Sequence, residues 1–270
     1  MKRRPKPSAK SLESQLHELV RQLMDHTGPA AAKLPARRSP TRSSASATAL
    51  ARRIDHTILK PESTLSQVLA ACSEAREHEF ASVCVHSHWL PEVVRALKGS
   101  RTLPIAVVGF PHGSMLPQAK AFETRLAAKA GAREIDMVVN LGRLKSRDWK
   151  AVFEDIRGVV KAAGKIPVKV ILETGLLTNE EKVATAVLCE LAGAAFVKTS
   201  TGFATGGATV EDIHLLRKVL NPRVRLKASG GIRTREIAEA LISAGADRLG
   251  ASSSIAIVEG SSPAQAPGSY

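Results

Sequence analysis

Two lysines and an aspartate offer the most specific chemistry in this chain. Lys198 closes the apolar run 195–198, and Lys227 lies in the run 224–228, so both fall at the ends of short strand candidates. An ammonium enclosed by protein is costly to desolvate. Two held close together repel, so one gives up its proton more readily. A neutral lysine amine attacks carbonyl carbon and forms a Schiff base. Asp136 alternates with Glu134 along another strand candidate, which puts both carboxylates on one side. From there Asp136 could move protons to and from carbon or the carbinolamine, directly or through a water. A single strand-end lysine is equally an ion-pair partner or a phosphate clamp; the pair taken with Asp136 points to a nucleophile. Lys169 also lies on a strand, but in its N-terminal half, and reads as a structural partner of carboxylates.

Two glycine-containing turns follow the last two strand candidates: SGGIR (229–233) and GASSS (250–254). Such turns lead into helix starts and offer backbone N–H groups to a phosphate. A lone Gly-Gly is by default a plain turn, whereas the pairing of the two turns suggests a phosphorylated carbonyl compound as substrate.

These groups need a scaffold that brings strand ends together. Short apolar runs at 54–59, 81–86, 105–110, 134–140, 168–173, 195–198, 224–228 and 248–250 alternate with amphipathic stretches at 65–78, 118–130, 149–163, 180–191, 210–219 and 234–244. Strands apolar on both faces and separated by helices imply parallel βαβ units. Eight such units in about 200 residues imply an α/β fold, a closed (β/α)8 TIM barrel, whose active site lies at the C-terminal ends of the strands. No dinucleotide fingerprint opens the first unit. Ala-Gly-Ala recurs at 130–132, 192–194 and 244–246, each time just before a strand, where glycine ends a helix and small residues let the strand pack closely.

Residues 1–50 differ from the rest. Leu12, Leu16, Leu19, Val20 and Leu23 keep a helical rhythm, and 28–46 reads as a Pro-, Ala-, Ser- and Arg-rich linker. The expected organisation is a basic, mobile extension at 1–50, a barrel at 51–260 and a flexible tail at 261–270. Of the +14 net charge, +9 falls in residues 1–53, which hold 12 Lys+Arg against 3 Asp+Glu. The near-neutral barrel then argues against a nucleic-acid-binding function, although the arm alone could touch nucleic acid or a membrane surface. No run of eighteen apolar residues and no apolar stretch after the basic start argue against a membrane span or a secretory signal; an organelle transit peptide is the alternative for that start. Cys72, Cys84 and Cys189 show no metal-type spacing, and reduced thiols in a cytoplasmic protein fit them best.

The chain resembles the deoxyribose-phosphate aldolase family over roughly residues 51–260. The resemblance rests on IDHTILKP (54–61), SVCVHSHWLP (82–91), VVGFPHG (107–113), EIDMVVNLGRLKS (134–146), VKVILETGLL (168–177), FVKTSTGFATGGAT (196–209), KASGGIRT (227–234) and GASS (250–253). It implies that Lys198 is the Schiff-base lysine, that Lys227 depresses its pKa, that Asp136 serves the proton relay, and that Asp55 stands near Lys227. It also implies that Cys84 lines the pocket and that Thr201, Gly202, Gly230, Gly231, Gly250, Ser252 and Ser253 take the substrate and its phosphate. The reaction implied is reversible cleavage of 2-deoxy-D-ribose 5-phosphate to acetaldehyde and D-glyceraldehyde 3-phosphate, without a metal or organic cofactor, in a homo-oligomer (dimer or tetramer). Tyr270, the only tyrosine and the last residue, matches a terminal tyrosine of some relatives that enters the site to assist proton transfer; an inert end is the alternative. Phe203 stands where some relatives carry a phosphate-binding lysine. His86 replaces a frequent asparagine and reads more simply as pocket lining or a satisfied polar contact than as a catalyst. Two rivals are another Schiff-base aldolase or transaldolase and an inactive phosphosugar-binding barrel. The KTSTG and KASGGIR spacing argues against the first, and the full set of polar residues against the second.

Overall fold

The computed structural model describes residues 44–261 together with Glu18. Strands β1 (Ile54–Thr57), β2 (Ser82–His86), β3 (Leu103–Val108), β4 (Glu134–Val138), β5 (Val168–Ile171), β6 (Phe196–Lys198), β7 (Arg225–Ser229) and β8 (Arg248–Ala251) pair in parallel, in sequence order, and close into a barrel. The helical layer comprises α1 (Ser44–Ala51), α2 (Leu65–Glu77), α3 (Leu90–Ala96), α4 (Pro117–Lys129), α5 (Leu141–Lys145), α6 (Trp149–Ala163), α7 (Asn179–Ala192), α8 (Val210–Val219), α9 (Arg235–Ser243) and α10 (Ser254–Glu259). The expected (β/α)8 barrel is therefore the observed one.

Successive side chains of a strand point to opposite faces. Ile135 and Met137 of β4, Val168 and Val170 of β5, and Leu226 and Ala228 of β7 join the apolar core between barrel and helices. Residues Asp136, Lys169 and Lys227 between them point into the barrel, where they contact one another. The helices meet the core along one stripe; in α6 Trp149, Val152, Ile156, Val159 and Ala163 are buried at three- and four-residue spacing. Thr64 and Thr178 start α2 and α7 with capping boxes completed by Gln67 and Glu181. Each glycine of the repeated Ala-Gly-Ala junction, Gly131, Gly193 and Gly245, has a positive φ.

Three differences from the sequence reading have physical causes. The linker expected up to Ser46 gives way to α1, so the ordered layer begins before residue 51. Its sequence, SASATALA, is a good helix former without an apolar rhythm, and among its described side chains Leu50 and Ala51 are buried, at the end that leads into β1. Four strands stop two residues short of their expected ends. Gly109 and Glu173 turn the chain with positive φ after β3 and β5, and Asn140 after β4 caps α5 by accepting a hydrogen bond from the Arg143 N–H at 3.1 Å. Finally, α3 and α5 are additional short helices. The helix expected around 11–24 lies outside the described residues except for Glu18, which is helical, and the tail beyond Ser261 lies outside them as well.

A paired substitution tests this packing. Leu188 of α7 is fully buried and Leu191 of the same helix is 53% exposed. Leu188→Ala should lower unfolding stability by about 2–5 kcal/mol in urea titrations, while Leu191→Ala should change it by less than about 0.5 kcal/mol.

Candidate active site

The barrel interior holds an ion cluster in place of aliphatic layers. Asp136 lies at its centre. Its Oδ1 accepts from Lys169 Nζ at 2.7 Å, and its Oδ2 accepts from both Lys198 Nζ at 2.9 Å and Lys227 Nζ at 2.8 Å. Strand register explains the convergence: Asp136 stands beside Lys169, and Lys198 beside Lys227, which in turn stands beside Arg248. Lys227 has a second carboxylate, Asp55 Oδ2 at 2.6 Å. Lys169 has Glu134 at 2.6 Å. Arg248 bridges Asp55 and Glu134, and Ser82 Oγ donates to Asp55 Oδ1 at 2.6 Å.

In this cluster four cations (Lys169, Lys198, Lys227, Arg248) face three carboxylates (Asp55, Glu134, Asp136). Three of the cations each touch two carboxylates, whereas Lys198 touches only Asp136. The pKa shifts follow. Burial pushes Lys198 down; Asp136 opposes this and Lys227 adds to it, and the net shift is downward. Lys227 feels the same burial, but Asp136 and Asp55 outweigh it and hold its pKa above the usual lysine value. Asp136 is also penalised by burial, yet Lys169, Lys198 and Lys227 keep it well below the carboxylate range. Asp55 behaves alike, held down chiefly by Lys227 and Arg248. Because Lys198 and Lys227 contact one oxygen, their nitrogens lie within about 6 Å, the range in which like charges shift each other's pKa.

The structure therefore brings Lys198, Lys227, Asp136 and Asp55 into one contact network. Cys84 adjoins it, its thiol pushed up to about 11 by burial and then by Asp136. With Leu59, Ile105 and Val107, Cys84 forms a small apolar cluster apart from the main core, and Phe110 packs against it. Phe110 meets Phe203 edge-on at 5.2 Å. His86 also stands edge-on to Phe110, and its Nε2 lies 2.9 Å from the Leu59 carbonyl, a satisfied polar contact.

The remaining positions line the loops after β6, β7 and β8. Ser229 Oγ donates to the Ser200 carbonyl at 2.6 Å, and Thr199 Oγ1 donates to the Ser229 carbonyl at 2.9 Å, which ties the KTSTG and SGGIR turns together. A Cβ on Gly207 would stand 2.5 Å from the Gly230 carbonyl oxygen, so the turn after Phe203 can seat only as glycine. Gly230 and Gly231 have positive φ, and Gly231 and Ser252 are exposed. Gly250 serves a different need: a Cβ there would stand 2.9 Å from Lys227 Cε, in the path of the lysine. Thr201 is buried and Gly202 and Ser253 are partly exposed, whereas Tyr270 lies outside the described residues. Sequence reasoning missed Arg248 and Ser82, which steady Asp55, and Glu173, whose carboxylate accepts from Thr201. The alternation of Arg248 with Gly250 was the available signal for the first.

A closed barrel with buried, mutually contacting titratable groups at its strand ends has the form of an enzyme site. A family model described as DeoC/LacD family aldolase matches residues 49–260. The deoxyribose-phosphate aldolase of Listeria monocytogenes serotype 4a (strain HCC23) is 53% identical over 222 residues, 82% of this chain and 99% of that protein. That of Brevibacillus brevis is 54% identical over 207 residues, 77% and 94% of the two chains. Among solved structures, a candidate deoxyribose-phosphate aldolase from Coccidioides immitis superposes with a TM-score of 0.82 at 38% identity, covering 92% of this chain and 96% of the other. The deoxyribose phosphate aldolase of Aeropyrum pernix does so with 0.74 at 30% identity, covering 90% and 96%. The chain belongs to the DeoC/LacD aldolase family.

Removing one cation tests the charge argument. In Lys227→Leu, Lys198 loses a repulsive neighbour and gains undivided access to Asp136 Oδ2. Both effects raise its pKa, so the protonated, unreactive form extends to higher pH. The acid limb of kcat/KM should move upward, with a rate loss of about 100-fold at neutral pH and partial recovery in alkali. A pH–rate profile that coincides with wild type would refute the coupling.

Proposed function

We propose that this chain reversibly cleaves 2-deoxy-D-ribose 5-phosphate to acetaldehyde and D-glyceraldehyde 3-phosphate through a Schiff base on Lys198. The observation that carries the reading is Lys198 itself, the one buried cation of the cluster held by a single carboxylate and lowered in pKa. The identity to curated deoxyribose-phosphate aldolases supports the choice of substrate.

The neutral amine attacks the aldehyde carbon of the open-chain sugar, and loss of water leaves an iminium. The hydroxyl proton on the third carbon then departs, the bond between the second and third carbons breaks, and its electrons pass to the iminium nitrogen. D-Glyceraldehyde 3-phosphate leaves, the enamine carbon takes a proton, and hydrolysis frees acetaldehyde and Lys198. Asp136 carries protons with Lys227 beside it, Asp55 holds Lys227 in place, and no metal or organic cofactor enters the scheme. Cys84 borders the apolar side of the pocket. Thr201, Gly202, Gly230, Gly231, Gly250, Ser252 and Ser253 receive the substrate and its phosphate, largely through backbone N–H groups. With Phe203 where a lysine would add charge, phosphate is held with fewer cations. Tyr270 supplies a phenol for protonation at the enamine carbon.

We also read the chain as a cytoplasmic homo-oligomer, a dimer or a tetramer, serving deoxyribose phosphate catabolism. No helix among the described residues is long and apolar enough to cross a membrane. Leu116, Phe122 and Leu126, at the start of α4 and along it, are 73%, 55% and 51% exposed and offer an apolar contact face. The A. pernix relative is described as a tetramer.

Borohydride with acetaldehyde should fix a two-carbon adduct on Lys198, located by mass mapping, and Lys198→Ala should lose essentially all retro-aldol activity. An adduct on Lys227 or Lys169 instead would overturn the assignment. For the C-terminus, Tyr270→Phe should slow exchange of the acetaldehyde methyl protons with deuterated water while trapping at Lys198 survives; exchange at the wild-type rate would make the tyrosine a passive end.

A further inference from the structure

The third serine of the GASSS turn has no part in the chemistry above. Ser252 is exposed and Ser253 partly exposed, whereas Ser254, the first residue of α10, is fully buried. Its Oγ lies 3.0 Å from the Ala251 carbonyl oxygen, which closes the turn on itself, and 2.8 Å from Nδ1 of His56. His56 stands on β1, beside Ala251 in register. The preceding residue, Asp55, points into the barrel and meets Lys227. The imidazole therefore points the other way, into the layer between barrel and helices, where it is 5% exposed. Its Nε2 lies 2.8 Å from a Glu74 carboxylate oxygen on α2, and its ring packs on Phe80 with centroids 5.2 Å apart. Both ring nitrogens are engaged, and the ring spans from α2 to the start of α10.

Serine, imidazole and carboxylate in a row are the groups of a nucleophilic triad. Here the serine is enclosed by protein, so no substrate carbonyl reaches it and the row holds rather than attacks. What it holds is the backbone of 251–254. Backbone N–H groups bind an anion well only when they are already aimed at it, because a turn that must be ordered on binding gives back part of the gain. Ser253 supplies no side-chain cap to α10, which leaves the turn tied through Ser254. We propose that His56 is a positioning residue that, through Ser254, holds the turn after β8 in the shape that receives phosphate. Resting on the phosphate-binding reading of that turn, His56 thereby sets the preference for phosphorylated over unphosphorylated sugar while touching no substrate itself.

The test compares cleavage of 2-deoxy-D-ribose 5-phosphate with cleavage of unphosphorylated 2-deoxy-D-ribose. An asparagine amide falls near the position of a histidine Nδ1, and a glutamine amide near that of Nε2. His56→Asn therefore keeps the reach to Ser254 and gives up Glu74, whereas His56→Gln keeps Glu74 and gives up Ser254. In His56→Gln and in Ser254→Ala the ratio of kcat/KM values, phosphorylated over unphosphorylated, should fall about ten-fold, with the change in KM. Inorganic phosphate should inhibit deoxyribose cleavage more weakly by the same factor. His56→Asn should retain the ratio, although it removes more volume than His56→Gln. Acetaldehyde carries no phosphate, so its trapping on Lys198 by borohydride should persist in all three variants. Equal losses in His56→Asn and His56→Gln, or an unchanged ratio in Ser254→Ala with both sugars slowed together, would make the contact purely structural and overturn the proposal. If the unaltered protein shows no preference for the phosphorylated sugar, the phosphate reading of the turn and the role of His56 fail together; a preference that is present and survives both His56→Gln and Ser254→Ala defeats the role of His56 alone.

Discussion

The site depends on one shared carboxylate. Asp136 has two oxygens and three ammonium partners, and two of those, Lys198 and Lys227, divide a single oxygen. With every lysine protonated the cluster holds one more cation than carboxylates. The surplus is relieved at least cost where a cation has the fewest contacts, and that is Lys198. Lys169, Lys227 and Arg248 each bridge two acids. Repulsion between two neighbouring lysines is thus only part of the device. The asymmetry of their carboxylate partners decides which of the two is lowered in pKa, and burial supplies the largest share of that shift.

Barrel closure makes that asymmetry possible. Asp55 on β1 reaches Lys227 on β7 and Arg248 on β8, while Asp136 on β4 reaches Lys227 from the opposite side. An open sheet would separate β1 from β8, and the chain of contacts would lose the bridge that keeps Lys227 charged. The neighbouring strands also leave room for it. Gly250, beside Ser229 in register, lets the Lys227 side chain pass at a distance no other residue would allow.

The legible part of this molecule is the part written in short periods. Strands buried on both faces are unbroken apolar runs, and eight of them separated by helical stretches are enough to specify a barrel. The same two-residue period puts Asp136 with Glu134, and strand-end position singles out Lys198; Lys227, expected at a strand end as well, stands in the middle of β7, which runs two residues further. What stayed hidden depends on contacts between distant segments or on elements too brief to show a period. The seven-residue α3 and five-residue α5 hold fewer than two full turns. Among the described side chains of α1, the buried ones are its last two. Arg248 gains meaning only when β8 lies beside β1. The left-handed turn at Glu173 leaves no compositional trace, because glutamate is not the residue that such a turn usually selects.

The cluster also runs against the stability of the barrel. Comparable barrels fill their interior with branched aliphatic layers, and buried ion networks replaced by well-packed apolar groups often leave a protein as stable or more so. Breaking one member is another matter, since the orphaned partner keeps its charge without compensation, at about 3–5 kcal/mol. Lys169 and Lys227 are fully enclosed, so neither contributes to solubility or surface charge. Their effect is electrostatic: Lys227 adds to the lowering of the Lys198 pKa, and Lys169 helps to hold Asp136 well below the carboxylate range. An interior of this kind trades packing for one amine held below the usual lysine pKa. The small apolar cluster around Cys84 stands next to that amine and keeps its surroundings apolar on one side.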